Sequence, residues 1–370
     1  MIYYKISFCI TVMNRVQHLQ QTLPINILSN QDYENCEFVV LDYNSSDKVE
    51  EYIKEELYDY IQNKKLVYYK TIEPSYFKRS HSRNLAFKLA KGDLVCNLDA
   101  DNYTGQGFAT YLNSIFNIHK DFFLTGMMFN NSEFSKDVLG RVCLTKNKFN
   151  ELKGYDERME GYGFEDIDLY SRLELAGLKR KAIDRKYLTS IKHGNKCRIL
   201  NEFAHNFLEE VLVSYLTPHA TEFIIFYSNF CYNKFTLIDN KRNHCIEGYN
   251  ENLYSCPSIY KYDFSFKDDK VEEGTWMRSR SGIDIYSEKL EKLKYDNSHT
   301  QYIFINGDKK QRFFELKNSD LIDAIIMCFN QIKNRVIMDE NQLNNRIVVN
   351  EHGYGNGKVY KNFQPESFII

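Results

Sequence analysis

The sequence lacks several features that would place it in a specialised class of protein. It has no apolar run of 18 or more residues, so no transmembrane helix is expected. Its nine cysteines form neither CxxC pairs nor a CxxC…HxxxH pattern, so we expect reduced, mostly buried thiols instead of a disulfide framework or a zinc site. The formal net charge is only −2, which gives no overall basic field for nucleic acid.

Two targeting and binding signatures are also missing. The apolar run at 6–13 is too short for the hydrophobic part of a secretory signal and is better interpreted as a buried strand. The sequence Gly355-Asn356-Gly357-Lys358 has neither the spacing nor the Ser/Thr of a P-loop. We therefore expect a cytoplasmic protein that binds no nucleic acid and touches the inner face of a membrane at most peripherally.

Short apolar runs alternate with helical patterns over the first hundred residues. Strands are predicted at 6–12, 37–41, 66–69 and 94–98, with helices at 17–28, 48–61 and 80–89 between them. This alternation predicts an α/β fold with a doubly wound, mostly parallel sheet flanked by helices. Such sheets bind ligands at the carboxyl ends of their strands.

The pattern changes near residue 200 and predicts a smaller C-terminal α+β or helical region. Amphipathic helices are predicted at 204–216 and 321–332, and a short strand at 302–305. Lysine and arginine recur from 261 to 313, but acids are interleaved with them, which favours a solvated face over a membrane patch. Trp276 is better explained by packing than by a sugar-binding surface.

Polar side chains stand where the predicted strands end. Asn14 and Arg15 follow the first strand, Asp42 follows the second, and Asp99 and Asp101 end the fourth. Residues i and i+2 of an extended chain point the same way, so the last two carboxylates can share a divalent cation. Hard oxygen ligands suit Mg²⁺ or Mn²⁺ bound to a diphosphate. Alone, such a pair is more often a simple strand-to-turn boundary.

The segment 161–168, Gly-Tyr-Gly-Phe-Glu-Asp-Ile-Asp, is the second strong feature. Its glycines and the acids after them predict a flexible loop that leads into a helix. Acids in the first turn of a helix complement its dipole, so capping is the simple explanation. Capping would not demand an aromatic residue between two glycines and three acids within four residues. We therefore interpret the segment as part of a site.

The first half of the chain resembles inverting family 2 glycosyltransferases, which have the GT-A fold. The resemblance is carried by Ser82-Arg83-Asn84, Leu98-Asp99-Ala100-Asp101 and, after Asn14-Arg15, the segment Val39-Val40-Leu41-Asp42. It implies that Asp42 contacts the nucleotide base and that Arg83 lies near the diphosphate. It also implies that Asp99 lies near the ribose and Asp101 on the metal.

The same resemblance places Thr11, Asn14 and Arg15 in the nucleotide-sugar site. The sequence departs from the family pattern at Met13 and Tyr43, which puts the contact with the base in question more than the fold.

The segment 161–168 resembles the Gly-Trp-Gly-Gly-Glu-Asp-Asp-Asp motif of the β-1,4-galactosyltransferases. The resemblance implies that Asp166 is the catalytic base and that Glu165 helps to hold the acceptor. Tyr162 would take the place of the tryptophan as a platform for a sugar ring, beside Gly163 in the acceptor site.

A histidine follows about where this group of enzymes places a metal ligand. The resemblance therefore implies that Asp101 and His193 hold Mn²⁺, or Mg²⁺, with His205 as the alternative ligand. Manganese accepts mixed carboxylate and imidazole ligands.

The expected function is an inverting, metal-dependent transfer of a hexose or N-acetylhexosamine from a UDP-sugar to a glycan or glycolipid, in the synthesis of a bacterial surface polysaccharide. The catalytic domain would span 1–204, with a nucleotide-sugar half at 1–102 and an acceptor half at 103–204. The accessory region at 205–370 has no indicated role, and its helix could mediate formation of a homo-oligomer.

Two alternatives remain. A nucleotidyltransferase would carry a glycine-rich basic loop after the first strand, where this chain reads Met13-Asn14-Arg15-Val16. A non-catalytic sugar-binding or scaffold protein on a transferase fold is disfavoured by the intact pairs Asp99/Asp101 and Glu165/Asp166.

Overall fold

A computed structural model describes residues 1–126, 138–217, 220–239, 264–306 and 309–370 of the chain. These residues form two compact units. The first comprises Met1–Gly194 and Ile337–Ile370, and the second comprises Asn195–Val336. The functional division at 204/205 remains a prediction.

The first unit is built on one large sheet. Its strands before residue 195 are β1 (Ile6–Val12), β2 (Cys36–Tyr43), β3 (Leu66–Thr71), β4 (Leu94–Asn97), β5 (Asn102–Tyr103), β6 (Phe122–Thr125), β7 (Val142–Thr145), β8 (Lys179–Ala182) and β9 (Thr189–Ser190). The described strands of the sheet, with β18 (Lys358–Lys361) and β19 (Ser367–Ile369) from the C-terminal segment, have the order β19-β18-β3-β2-β1-β4-β7-β6-β8, and β5 pairs separately with β9. The centre, β3-β2-β1-β4, is parallel as predicted.

Helices cover this sheet. They are α1 (Val16–Ser29), α2 (Val49–Glu56), α3 (Tyr58–Gln62), α4 (Arg79–Leu89), α5 (Phe108–Ile118), α6 (Lys146–Glu151) and α7 (Glu165–Leu175). Every residue of β1 and β2 is buried, which explains why these strands are nearly continuous apolar runs. The helix predicted at 48–61 is divided at Leu57, whose backbone leaves the helical region with φ −120°.

The second unit is dominated by antiparallel strands. Two short helices, α8 (Asn195–Ile199) and α9 (Phe203–Asn206), precede β10 (Leu208–Thr217), β11 (Ala220–Tyr227), β12 (Cys231–Asp239), β13 (Phe264–Ser279), β14 (Gly282–Tyr286), β15 (Leu290–Asp296), β16 (Gln301–Asn306) and β17 (Lys309–Glu315). Each strand pairs with the next, and β10 also pairs with β17, so the sheet closes on itself. We call it the closed sheet.

The interior of the closed sheet is a packed apolar core that includes Leu212, Ile224 and Leu293. Trp276 belongs to this core and is 6% exposed. Its indole Nε1 donates a hydrogen bond to the carbonyl oxygen of Tyr227 at 2.9 Å. The prediction that this tryptophan serves packing is confirmed.

The helix predicted at 204–216 is wrong. Only Phe203–Asn206 is helical, and Leu208–Thr217 is strand β10. The β-branched Val211 and Val213 suit a strand, and β10 gains a partner on each side in β11 and β17. An apolar run of this length fits either period, so the long-range pairing decided between them.

The C-terminal segment returns to the first unit. Helix α10 (Ser319–Leu343) is longer than the predicted 321–332 and crosses from the second unit to the first at 336/337. After it, β18 (Lys358–Lys361) pairs antiparallel with β3 and β19 (Ser367–Ile369) pairs with β18. This return has no counterpart in the apolar pattern of the sequence.

Two expectations from composition concern cysteines and membrane spans. The seven cysteines of the described residues are all free, and Cys9, Cys36, Cys96 and Cys143 are buried. No helix among the described residues is long and apolar enough to cross a membrane.

Candidate active site

The predicted site residues lie at the carboxyl edge of the parallel strands. In the register of β1 and β2, Val12 lies opposite Asp42, so both strands end at the same level. Strand β4 pairs with the other side of β1, and Asp99 and Asp101 follow its end. The loops after these three strands therefore meet at one edge of the sheet, as the ligand rule for parallel sheets predicts.

One buried arginine joins the two sequence motifs. The side chain of Arg83, on α4, is 3% exposed. Its Nη1 donates to Asp166 Oδ1 at 2.8 Å and to Glu165 Oε1 at 3.2 Å, and its Nη2 donates to Asp99 Oδ1 at 3.1 Å. We call Arg83, Asp99, Glu165 and Asp166 the arginine cluster. It brings together two segments that lie more than sixty residues apart in the sequence.

The loop before α7 adds contacts to the arginine cluster. The backbone N–H of Gly163 donates to Glu165 Oε2 at 2.9 Å, and Arg79 Nε lies 3.6 Å from Glu165 Oε1. The guanidinium of Arg79 also lies 5.1 Å from the ring centroid of Tyr162, a cation–π distance. Helix α7 begins at Glu165, so the predicted order of loop and then helix is confirmed.

Charges in the arginine cluster separate the pKa values of its carboxyls. Burial and the neighbouring charges of Glu165 and Asp99 raise the pKa of Asp166 to about 7, although Arg83 opposes the rise. Burial alone would also raise the pKa of Asp99, but Arg83 and Arg79 outweigh it and hold that pKa below its usual value. The arrangement keeps Asp99 ionised and leaves Asp166 able to take or give a proton near neutral pH.

A second pair of predicted residues is brought together by the two-stranded sheet. Strand β5 pairs with β9, with Asn102 opposite Ser190, and the N–H of Ile191 donates to the carbonyl of Asp101. His193 Nε2 then lies 2.6 Å from Asp101 Oδ2. Asn102 Nδ2 donates to Asp101 Oδ1 at 2.7 Å.

Basic groups surround this pair. Arg15 Nη1 lies 3.6 Å from Asp101 Oδ2. The ring of His18 lies 6.0 Å from that of His193, and burial and then Arg15 lower the pKa of His18. His18 was not predicted from the sequence because it lies within helix α1 and outside any motif.

Whether Asp101 and His193 suit a metal ion depends on the donor atoms that they supply. Among the described residues, no group of three or more His, Cys, Asp and Glu side chains is arranged to hold a metal ion. Asp101 and His193 nevertheless supply one oxygen and one nitrogen donor side by side, a set that suits Mn²⁺. The alternative ligand, His205, lies in the second unit with Nε2 3.8 Å from Asp323 Oδ1.

Asp42 is held in a buried position at the end of β2. Its Oδ2 accepts a hydrogen bond from the hydroxyl of Tyr68 at 2.7 Å, and its Oδ1 accepts one from the N–H of Ser45 at 2.9 Å. Burial raises the pKa of Asp42, and the bonds from Ser45 and Tyr68 oppose the rise. Tyr68 is itself packed at 4.9 Å between ring centroids against Phe363 of the C-terminal segment.

Asn14 ties the loop after β1 to the loop after β2. Its Oδ1 accepts hydrogen bonds from the N–H and the hydroxyl of Ser46, at 2.6 and 3.0 Å, and the N–H of Val16 donates to Asp47. Thr11 is 8% exposed and lies opposite Leu41 in the sheet. These contacts give Asn14 a structural role whether or not a nucleotide binds.

Three residues of the site were missed by the sequence argument. Asn97 Nδ2 donates to Asp99 Oδ1 and to the carbonyl of Gly140. A Cβ on Gly140 would lie 3.0 Å from Asp166 Oδ2 and 3.2 Å from Asp99 Oδ2, so this glycine lies directly on the arginine cluster. The guanidinium of Arg83 lies 5.5 Å from the ring centroid of Tyr155. Asn97 and Gly140 belong to no recognisable motif, whereas Tyr155 lies in the segment 152–156, which fits the same family pattern as the acidic loop but was assigned no role.

The C-terminal segment also holds the helix that carries the predicted base. Asn341, which is fully buried, donates from Nδ2 to Asp156 Oδ2 at 3.0 Å and to Asp168 Oδ1 at 2.9 Å. Asp168 lies in the first turn of α7 and forms a buried ion pair with Arg172 at 2.7 Å. Residues 337–370 are therefore part of the framework of the site.

Residues 7–164 match the model of glycosyl transferase family 2. With the sheet order described above, this match gives the first unit a GT-A-like α/β fold, and the predicted fold class is confirmed. The match ends before Glu165, so the resemblance of 161–168 to the β-1,4-galactosyltransferases remains a prediction. None of the curated proteins matches the chain.

Several solved structures are similar to part of the chain. The mannosyltransferase PcManGT from Pyrobaculum calidifontis, in complex with GDP-Man and Mn²⁺, matches with 14% identity and a TM-score of 0.43, over 55% of this chain and 64% of that one. TarS from S. aureus in complex with UDP matches with 17% identity and a TM-score of 0.41, over 49% and 58%.

A Drosophila β1,4-galactosyltransferase 7 mutant in complex with manganese, UDP-Gal and xylobiose matches with 15% identity and a TM-score of 0.37, over 53% and 73%. The chain thus spans 64% and 58% of the lengths of the first two structures.

Proposed function

We propose that the first unit is an inverting, metal-dependent glycosyltransferase that moves a hexose or N-acetylhexosamine from a UDP-sugar to a glycan or glycolipid. The observation that carries the proposal is the arginine cluster at the carboxyl edge of the sheet, where Asp166 has a pKa of about 7. A carboxyl group with this pKa is matched to proton transfer at neutral pH. The match of residues 7–164 to glycosyl transferase family 2 supports the same class of reaction.

The proton step is assigned to Asp166. As the acceptor hydroxyl oxygen forms its bond to the anomeric carbon, its proton passes to the Asp166 carboxylate and the bond from that carbon to the diphosphate oxygen breaks. Configuration inverts in this single displacement, and no covalent enzyme intermediate is required. Glu165, held by Arg83 and the N–H of Gly163, and the ring of Tyr162 lie beside Asp166, where we place the acceptor.

The donor site is assigned to the loops after β1, β2 and β4. Asp42 would read the base, while Thr11, Asn14 and Arg15 line the donor site. Asp99 would contact the ribose. In this proposal Arg83 mainly holds the carboxyls of its cluster, since its Nη1 and Nη2 donate to three carboxyl groups.

Asp101 and His193 would hold Mn²⁺ or Mg²⁺, with Arg15 beside them. When bound, the metal would neutralise charge on the departing nucleoside diphosphate. Because Asp101 Oδ2 and His193 Nε2 contact each other directly, the two side chains must separate slightly to admit an ion.

The decisive experiment is a panel of UDP-sugars, with GDP-mannose included, incubated with the full chain and Mn²⁺. We expect release of UDP from one donor, its loss in the presence of a chelator, and its restoration by added Mn²⁺. Release of pyrophosphate from a nucleoside triphosphate would favour the nucleotidyltransferase alternative. Tight binding of a UDP-sugar without any turnover, with glycan acceptors present, would favour a non-catalytic sugar-binding protein.

The proposal extends to the acceptor and to where the enzyme acts. A glycan or glycolipid acceptor used in a bacterial surface polysaccharide would place the enzyme in the cytoplasm, near the inner face of the membrane. Activity on an acceptor panel of free oligosaccharides and detergent-solubilised glycolipids would show which kind the protein uses. A homo-oligomer is tested by light scattering of the full chain.

A further inference from the structure

The closed sheet gathers several basic side chains on one outward face. Glu272 and Glu291 lie on the interior side, where the Nζ of Lys234 is 3.5 and 3.4 Å from their carboxylates. Lys292 and Lys294 flank Leu293, which packs in the interior core. Because successive side chains of a strand alternate, these two lysines face outward, and both are exposed.

Outward basic residues and isoleucines form cross-strand rows on β15, β16 and β17. Lys294 lies opposite Ile303, and Ile303 lies opposite Arg312. In the next row Ile305 lies opposite Lys310. We call Leu290, Lys292, Lys294, Ile303, Ile305, Lys310 and Arg312 the basic face. Each isoleucine row is flanked by positive charge.

The basic face is exposed and its charges are not neutralised. Leu290 is 49% exposed and Ile305 is 46% exposed. A cavity of about 500 Å³ is lined by Leu290, Lys292, Lys294 and Ile305, together with Lys289, Phe304 and the acid Glu291. Within the described residues, no salt bridge reaches Lys292, Lys294, Lys310 or Arg312, and Asp284 is the one acid that lies opposite them in the strand pairing.

The other side of the closed sheet is covered. Phe223 and Phe235 project from β11 and β12 with ring centroids 5.6 Å apart, and Phe235 stacks on Phe329 of α10 at 4.4 Å. Apolar residues on that side therefore already have a partner within the second unit. On the basic face, by contrast, the apolar side chains of Leu290 and Ile305 are exposed to water and lie beside lysines and an arginine.

We propose that the basic face binds the surface of an anionic lipid bilayer. Four unpaired basic residues complement the negative charge of the lipid headgroups, and Ile305 and Leu290 can enter the boundary between headgroups and acyl chains. The rows of Ile303 and Ile305 contain aliphatic and basic side chains, and the aromatic Tyr286 lies at the margin of the face, opposite Leu290. Aliphatic side chains at the centre of the face favour a lipid surface over stacking against sugar rings. The inference does not depend on the proposed transferase activity.

The test is sedimentation of the full chain with vesicles. One set contains phosphatidylcholine alone, and the other contains about one third phosphatidylglycerol. We expect binding to the anionic vesicles only, and loss of binding as salt rises from 0.1 to 0.5 M, because the charges act across water. One basic residue near such a surface strengthens binding about fivefold, so Lys292→Glu with Lys294→Glu should weaken it at least tenfold.

Two further variants separate the outcomes. Lys120→Glu with Lys179→Glu changes two exposed lysines of the first unit by the same charge and should leave binding unchanged. Ile305→Ser should weaken vesicle binding several-fold while leaving the binding of dextran sulfate, a soluble polyanion, unchanged. Equal binding to neutral vesicles, full binding by the Lys292/Lys294 variant, or binding to dextran sulfate without binding to vesicles would each overturn the proposal.

Discussion

In the first unit Arg83 is buried and the carboxyls of Asp99 and Asp166 that it touches are only 28% and 19% exposed, whereas the lysines and arginine of the basic face in the second unit are exposed to water. Out of water, neighbouring charges act strongly, and the pKa values of Asp99 and Asp166 move in opposite directions. In water, charges are screened from one another and remain accessible to a binding partner. The same residue types are therefore suited to the proton transfer that we propose in one unit and to the binding that we propose in the other.

The largest effect is expected from removing the predicted catalytic base. Asp166→Asn keeps the shape of the side chain and should lower kcat by about 10² to 10⁴-fold, because the acceptor hydroxyl loses its proton acceptor. Initial rates of UDP release with the best donor and acceptor would measure the loss. Glu174→Gln, an exposed acid of the same helix, is the matched control and should stay near full activity. Normal turnover by Asp166→Asn would remove the base assignment.

Replacing Arg83, the cation of the arginine cluster, should lower the free energy of unfolding more than the other substitutions considered for stability. Arg83→Gln leaves three carboxyl groups without their shared partner, and stranding buried charges costs about 3–5 kcal/mol. Because Arg83 lowers the pKa of Asp166, its loss should also move the rising limb of the rate–pH profile to higher pH.

Chemical denaturation and a pH series would measure both effects. Arg180→Gln breaks a half-exposed pair with Glu174 and should cost at most about 1 kcal/mol. A cost for Arg83→Gln no larger than this would show that the burial of the cluster has little energetic weight.

The raised pKa of Asp166 predicts a pH dependence of stability. The folded state holds this proton up to a pH of about 7, while the unfolded chain releases it near 3.8. The contribution of Asp166 to stability therefore falls as pH rises from about 4 to about 7, by at most about 4 kcal/mol. Asp166→Asn should become steadily more stable relative to the wild type over that range. Parallel denaturation curves at every pH would contradict the raised pKa.

A smaller effect is expected at Asp42, the residue predicted to contact the nucleotide base. Tyr68→Phe removes the hydroxyl that donates to Asp42 and should cost about 1–3 kcal/mol, because a buried carboxylate oxygen loses its donor. The KM for the UDP-sugar should rise several-fold with kcat nearly unchanged. Tyr52→Phe, at another buried tyrosine, is the control. An unchanged KM would show that Asp42 does not contribute to binding of the UDP-sugar.

The smallest effect is expected on the basic face. Lys294→Ala removes an exposed charge that no described residue pairs, so the free energy of unfolding should change by less than about 0.5 kcal/mol. Denaturation of this variant beside Arg83→Gln would give the two extremes of the comparison. A loss above about 1 kcal/mol would mean that Lys294 has a structural partner.

Much of the first unit could be predicted because its signals are local. The buried strands β1 and β2 are continuous apolar runs, and the polar residues that end the strands mark one edge of a parallel sheet. The start of α7 at Glu165 was equally visible, because glycines precede a run of acids. The contact between Asp101 and His193 was anticipated only through a family resemblance, since 92 residues separate them.

Other features could not be predicted because they depend on pairing between distant segments. Leu208–Thr217 fits a helix or a strand until β11 and β17 are beside it. Asn341 shows no local signal for the two carboxylates that it bridges. Strand β18 pairs with the edge strand β3. Any exposed strand edge could accept such a strand, and the sequence pattern does not indicate which one does.

The parallel sheet, the edge at which its polar residues gather and the two acidic motifs follow from residue order, because the periodicity of buried side chains and the chemistry of strand ends are local properties. Only the tertiary structure decided that Arg83 holds Asp99, Glu165 and Asp166 together, and thereby that Asp166 has a pKa of about 7. It also decided that Lys292, Lys294, Lys310 and Arg312 share one outward face of the closed sheet. Both depend on burial and on distances between atoms remote in the chain, and residue order alone fixes neither.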